Sequence, residues 1–255
     1  MVRIQDRPDA RGIPIDWVGI TNLVYPAEIE GPDGSPVEVP ATFDLLVNLA
    51  PDARGTHMSR FVEALEAHRS PVTPKGLRAL LETLRDRLGS DAARARTEYT
   101  AFVPREGPVS KGRSVLACDV VLEATLRESF DLVLAVTVPV MTLCPCSIET
   151  PGGAGHSQRG VASVAVRFDG VVAVREIVDL VDDCGSAPVY PLLKRDDERE
   201  VLDHARRHPV LIEDLVRNIA ERLDSDVRIH WYRVEAENNE STHDHDAYAA
   251  IERER

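Results

Sequence analysis

The 255-residue chain predicts an α+β protein of two tandem units, each an antiparallel sheet with helices on one face. Two observations carry that expectation. Several long runs read as strands, and one of them, 227–236, shows the two-residue alternation of a half-buried strand. The order of strands, then helices, then long strands also occurs twice along the chain. No residue-level repeat accompanies it, so the duplication rests on element order alone.

The elements follow in sequence. Residues 1–15 carry Pro8, Pro14 and scattered charges without periodicity, and read as a poorly ordered arm. Residues 17–25 and 37–49, separated by a turn at Gly31-Pro-Asp-Gly34, read as a hairpin. Ser59 is the expected N-cap of a helix near 60–69. Thr73 and Pro74 form an N-cap and first-turn pair for a helix carrying Leu77, Leu80, Leu81, Leu84 and Leu88, with Gly89 closing it. Strands are expected at 97–103, 114–126 and 130–140, then at 161–168. A helix is expected at 174–181, and one or two more between 197 and 223. The run 227–236 alternates like a strand; the acidic stretch 237–246 and a short charged tail complete the chain. The first unit is placed at 16–140 and the second, with the loop that precedes it, at 141–255.

A formal charge of −13 argues against a nucleic-acid partner, whose phosphates call for a basic face. No apolar run reaches the ~18 residues of a membrane span, and no apolar signal core opens the chain. Four cysteines are too few for a secreted disulfide framework of this length. A cytoplasmic protein with reduced thiols is the expectation. Basic residues that could meet a small anion are Arg60, Arg159, Lys194 and Arg195, together with Lys111 and Arg113; taken singly, the favoured reading of each is a solvated surface charge.

Chemistry concentrates where the run 132–140 ends, in Thr142-Leu-Cys-Pro-Cys-Ser147 and Gly155-His-Ser-Gln-Arg159. A thiolate donor, Cys144, and an imidazole donor, His156, share one glycine- and proline-punctuated loop, so a mononuclear metal site is the first hypothesis. The one-residue spacer between Cys144 and Cys146 does not suit a structural zinc knuckle. The competing reading is two cysteines that pack as small apolar groups. Glu198 reads as first-turn charge decoration, or as a third donor leaving a position open for catalysis. Glu213 reads as acidic bias at a helix start, or as a carboxylate that accepts two hydrogen bonds from a guanine N1–H and N2–H edge. Glu240, His243 and His245 follow the last long strand. If that segment is extended, the two histidines point to opposite sides and at most one shares a site with Glu240.

Taken in order, these pieces resemble the type IB GTP cyclohydrolases. Those carrying the resemblance are Arg54-Gly-Thr-His-Met-Ser-Arg-Phe61, Cys144-Pro-Cys-Ser147, Gly155-His-Ser-Gln-Arg159, the stretch from Pro188 to Arg195 with Glu198, Ile212-Glu-Asp214 and Glu240-Ser-Thr-His-Asp-His245. The resemblance covers nearly the whole chain after residue 15. It implies the tunnelling fold, two units per chain, in a homotetramer with active sites at subunit interfaces. It implies hydrolysis of GTP to formate and 7,8-dihydroneopterin triphosphate, the first step toward folate or related pterins. Cys144, His156 and Glu198 match the family's metal residues, for one divalent Zn, Mn or Fe(II) ion per site. Glu213 matches its purine anchor, and Glu240 and His243 lie near the same site. Arg60, Arg159 and Lys194 are the residues expected to meet the triphosphate. The chain departs from the family pattern at 148–155, at Ser157 in place of Asn, and at Gly160 in place of Ser or Thr. Alternatives are a variant giving the 2',3'-cyclic phosphate, a nitrile reductase of the same fold, and a non-catalytic purine- or metal-binding protein.

Overall fold

β1 (Ile15–Glu30) and β2 (Pro36–Leu49) form the expected hairpin, paired antiparallel from Ile15↔Leu49 to Glu30↔Pro36. The structure is a computed structural model and describes residues 5, 8–31, 35–68, 71–149, 155–239 and 243–255. Within β2, Val39, Ala41, Phe43, Leu45 and Val47 are buried while their neighbours are not, so a single face meets the core. β1 carries an irregularity between Ile20 and Leu23. There Asn22 adopts φ +59° and its N–H donates to the Asp44 carboxylate at 2.8 Å. Among the described residues of the arm, Pro8 bridges Ala53, and the Asp9 N–H donates to the Asp52 carbonyl at 2.8 Å.

The helices α1 (Ser59–Ala67) and α2 (Pro74–Leu88) follow. α2 begins and ends as expected. Thr73 Oγ1 accepts from the Gly76 N–H at 3.1 Å, and Gly89 turns left-handed at φ +63°. α1 does not use Ser59 as its cap. The N-cap is Met58, already in helical conformation, and its side chain offers no cap bond.

Then come β3 (Ala93–Glu106), β4 (Arg113–Leu126), β5 (Phe130–Leu143), α3 (Pro145–Glu149), β6 (Ser157–Phe168), α4 (Val174–Cys184), β7 (Ala187–Pro188), α5 (Arg195–Arg207), α6 (Ile212–Ser225), β8 (Ile229–Asn239) and β9 (Asp246–Glu254). Two units divide the chain: residues 1–100 with 121–133, and residues 101–120 with 134–255. In the first, the hydrogen-bonded order is β1-β2-β3-β4-β5, and α2 packs on β2 through Leu77, Leu80, Leu81 and Leu84. In the second, the order is β3-β4-β5-β6-β8-β9, with β7 pairing β5. There α6 packs on β8 and β9, burying Leu215, Val216, Ile219 and Leu223.

The region 197–223 resolves into two helices because Pro209, which has no N–H to donate, stands between them. The charged tail expected after residue 246 is instead β9, paired with β8 from Asn239↔Asp246 to Trp231↔Glu254. Its run of Ala and Glu has little strand preference of its own, and the β8 ladder supplies what propensity does not.

Candidate functional site

β5 and β6 pair in strict antiparallel register down to Thr142↔Gln158 and Leu143↔Ser157. Cys144 and His156 are the next residue on each side of that last pair. The ladder therefore delivers thiol and imidazole to the same end of the sheet, and both side chains are half-buried. Gly155 sits at φ +70°, which lets the chain enter β6 directly before His156. Cys146, on α3, is exposed.

Beneath this end lies a buried polar chain. Asn238 Nδ2 donates to Thr142 Oγ1 at 2.8 Å, and Thr142 Oγ1 donates to Gln158 Oε1 at 3.2 Å. The three residues come from β8, β5 and β6, and each is at most 5 % exposed. Asn238 pairs with Gly160 across the β6–β8 ladder, so it can reach β5 only by passing over that residue. A Cβ on Gly160 would stand 2.2 Å from Asn238 Oδ1 and 2.3 Å from the Glu237 carbonyl oxygen. Glycine at this position is what makes the crossing possible.

Leu143 is the hub that brings other elements to Cys144. Its N–H donates to Ser186 Oγ at 3.0 Å, and its carbonyl accepts from the Val210 N–H at 3.1 Å. Its side chain shares an apolar cluster with Ala187, Val201 and Ala205. Val201 lies on α5 one turn after Glu198, and Val210 precedes Glu213 by three residues. Two helix starts carrying exposed carboxylates are thus fastened to the strand end that carries the thiol.

The first turn of α5 is held by a residue that sequence reasoning missed. The fully buried Asp197 carboxylate accepts from the N–H groups of Val109, Ser110 and Lys194 at 2.7–2.9 Å and from Ser110 Oγ at 2.6 Å. Those donors, the Ser110 hydroxyl first, hold the Asp197 carboxyl well below the usual carboxylate range. Gly107 runs against that carboxylate, where a Cβ would approach to 3.0 Å. The signal available in the sequence was an Asp at the third helical position, where it can reach back to the N-cap N–H. Nearby, the buried Arg105 guanidinium pairs with the buried Asp182 carboxylate, Nη2 to Oδ1 at 3.0 Å.

The remaining candidates stand as follows. Arg159 is exposed on β6, between Met141 and Asn239. Lys194 is the exposed N-cap of α5. Arg60 belongs to the first unit and caps α2, its Nη1 donating to the Arg87 carbonyl at 3.3 Å. Glu240 lies outside the described residues. His243 and His245 do not diverge, because residues 243–245 bend instead of extending, and their rings stack at 4.9 Å. Among the described residues, no three His, Cys, Asp or Glu side chains converge closely enough to hold a metal ion.

The family described as "Type I GTP cyclohydrolase folE2" matches residues 1–249. The chain belongs to this family. The GTP cyclohydrolase FolE2 of Kosmotoga olearia is 39 % identical over 250 residues, spanning 98 % of this chain and 97 % of that protein. That of Pelobacter propionicus is 40 % identical over 255 residues, spanning 100 % and 99 %. Among solved structures, uricase from Arthrobacter globiformis superposes with a TM-score of 0.56 at 11 % identity, over 94 % of this chain and 93 % of that one. Urate oxidase from Bacillus sp. TB-90 gives 0.53 at 7 % identity, over 94 % and 100 %. These likenesses speak to the fold alone, and the fold of this FolE2 family member is the α+β tunnelling fold.

Proposed function

We propose that this FolE2 family member hydrolyses GTP, with one net water, to formate and 7,8-dihydroneopterin triphosphate. The reading places one divalent ion at Cys144, His156 and Glu198. The observation that carries it is the Leu143↔Ser157 register, which puts a soft sulfur donor and an imidazole at one end of one ladder. The donor chemistry fits such an ion: thiolate, imidazole and carboxylate together suit Zn, Mn or Fe(II). Glu198 is fastened to the same strand end through Val201 and Leu143.

When bound, the ion supplies the Lewis acidity that makes water nucleophilic near neutral pH, where guanine C8 is otherwise a poor electrophile. The protein's own groups do the rest. Glu213, in the first turn of α6, accepts from guanine N1–H and N2–H and so fixes which edge of the purine faces Cys144. His243, the imidazole not assigned to the ion, holds a proton and passes it to the purine's ring nitrogens as the two C8–N bonds break in turn and formate leaves. Arg159, Lys194 and Arg60 are the cationic groups proposed to meet the triphosphate. A homotetramer with interfacial sites and a cytoplasmic setting belong to the same proposal. Among the described residues, no helix is long and apolar enough to cross a membrane.

The test is to incubate pure protein with GTP and Mn²⁺ and to follow formate and the purine absorbance. Formate release with a linear triphosphate product supports the reading. Release with a cyclic phosphate selects the variant product, and stable GTP binding without formate selects the non-catalytic alternative.

A further inference from the structure

We propose that the C-terminal end of α5 holds a second divalent-metal site, built by His204 and His208 and independent of the reaction proposed for Cys144. The two residues are four apart on one helix, the spacing that sets two imidazoles on the same face. Their ring centroids are 4.3 Å apart and the planes are inclined by 29°. His208 Nδ1 lies 2.9 Å from the His204 carbonyl oxygen. A carbonyl can only accept, so Nδ1 carries the proton, and in the neutral ring Nε2 keeps its lone pair. That tautomer is the one a metal-ligating histidine uses, fixed here by the same kind of carbonyl contact that orients such ligands.

Both rings line a cleft of about 790 Å³ with Asp182, Asp183 and Glu200 on its walls. Each of those carboxylates is paired with an arginine, Asp182 with Arg105, Asp183 with Arg222 at 3.2 Å and Glu200 with Arg207 at 3.0 Å, so the two imidazoles are the donors the cleft has to offer. The last carbonyls of α5 add the negative end of its dipole at the same place. Because no third His, Cys, Asp or Glu converges among the described residues, two imidazoles and water would make up the coordination. Imidazole nitrogen selects Cu²⁺, Ni²⁺ or Zn²⁺ over Mg²⁺ or Ca²⁺, and Cu²⁺ binds such a pair most tightly.

The experiment titrates full-length protein, preloaded with one equivalent of Zn²⁺, with Cu²⁺ and reads electron paramagnetic resonance. The proposal expects one further Cu²⁺ per chain showing hyperfine coupling to two nitrogens. His204→Gln and His208→Gln should each weaken it by at least on the order of tenfold, while Cys144→Ala retains it. Both rings are exposed, so the variants are expected to fold; circular dichroism checks this, and formate release should stay at the wild-type rate. Copper binding unchanged in both histidine variants overturns the proposal, as does copper lost only in Cys144→Ala.

Discussion

Asn238 reaches across Gly160 to place its Nδ2 2.8 Å from Thr142 Oγ1, linking β8 to β5 over the strand between them. The Thr142 end of this crossing lies two residue pairs inside Cys144 and His156. It couples a glycine that looks inert in the sequence to the geometry proposed for the metal.

Gly160→Ala should destabilise the protein by about 1–3 kcal/mol, the usual cost of overpacking a filled site. One of the two clashing atoms, the Glu237 carbonyl oxygen, is backbone and cannot swing aside. Chemical denaturation measures the loss; an unchanged midpoint would show that the strands open at this point without cost.

Thr142→Val keeps the shape of the side chain but removes the hydroxyl that serves Asn238 and Gln158. Each buried group left without its partner costs about 1–3 kcal/mol. Metal affinity should fall as well, since Thr142 is two residues from Cys144 on β5. Thermal unfolding and equilibrium dialysis with Mn²⁺ report the two effects separately.

Asp197→Asn should weaken metal binding, because the carboxylate that seats the first turn of α5, and with it Glu198, loses acceptor strength. The pH dependence has a definite sign. The folded carboxyl is depressed below its unfolded value, so its stabilisation is present above that unfolded value, ~3.9. It is lost as pH falls through the lower folded value. The stability gap between wild type and Asp197→Asn should therefore be constant near neutrality and shrink only below about pH 4. Denaturant titrations at pH 7 and pH 3 would show it.

Thiol labelling should divide the four cysteines. Burial pushes the Cys118 and Cys184 thiols up to about 11, and they are 1 % and 6 % exposed. Cys146 is exposed and Cys144 half-buried. Iodoacetamide at neutral pH should modify Cys146 in the native protein and leave Cys118 and Cys184 until it unfolds. Peptide mapping by mass spectrometry identifies the order.

Much of the fold was legible because its strands are long and bury one face: the alternation in β2 and β8 is visible residue by residue. α2 announced both of its ends, through Thr73 and Gly89. β9 was not legible, since its pairing comes from β8 and not from its own residues. Within the candidate site, Cys144 and His156 were visible as donor types in one loop, but their shared register was not, as it depends on where β5 and β6 pair. Asp197 stayed hidden because its partners, Val109 and Ser110, are distant in sequence and bond mostly through backbone N–H groups. Asn238 stayed hidden because its partner is reached across a glycine.

Metal content and formate release, measured together on wild type and Cys144→Ala, test the central claim most directly. The account predicts one divalent ion per active site and formate from GTP in the wild type. It predicts loss of both in a Cys144→Ala protein whose circular dichroism and melting temperature are unchanged. A folded Cys144→Ala protein that still releases formate at the wild-type rate would contradict it.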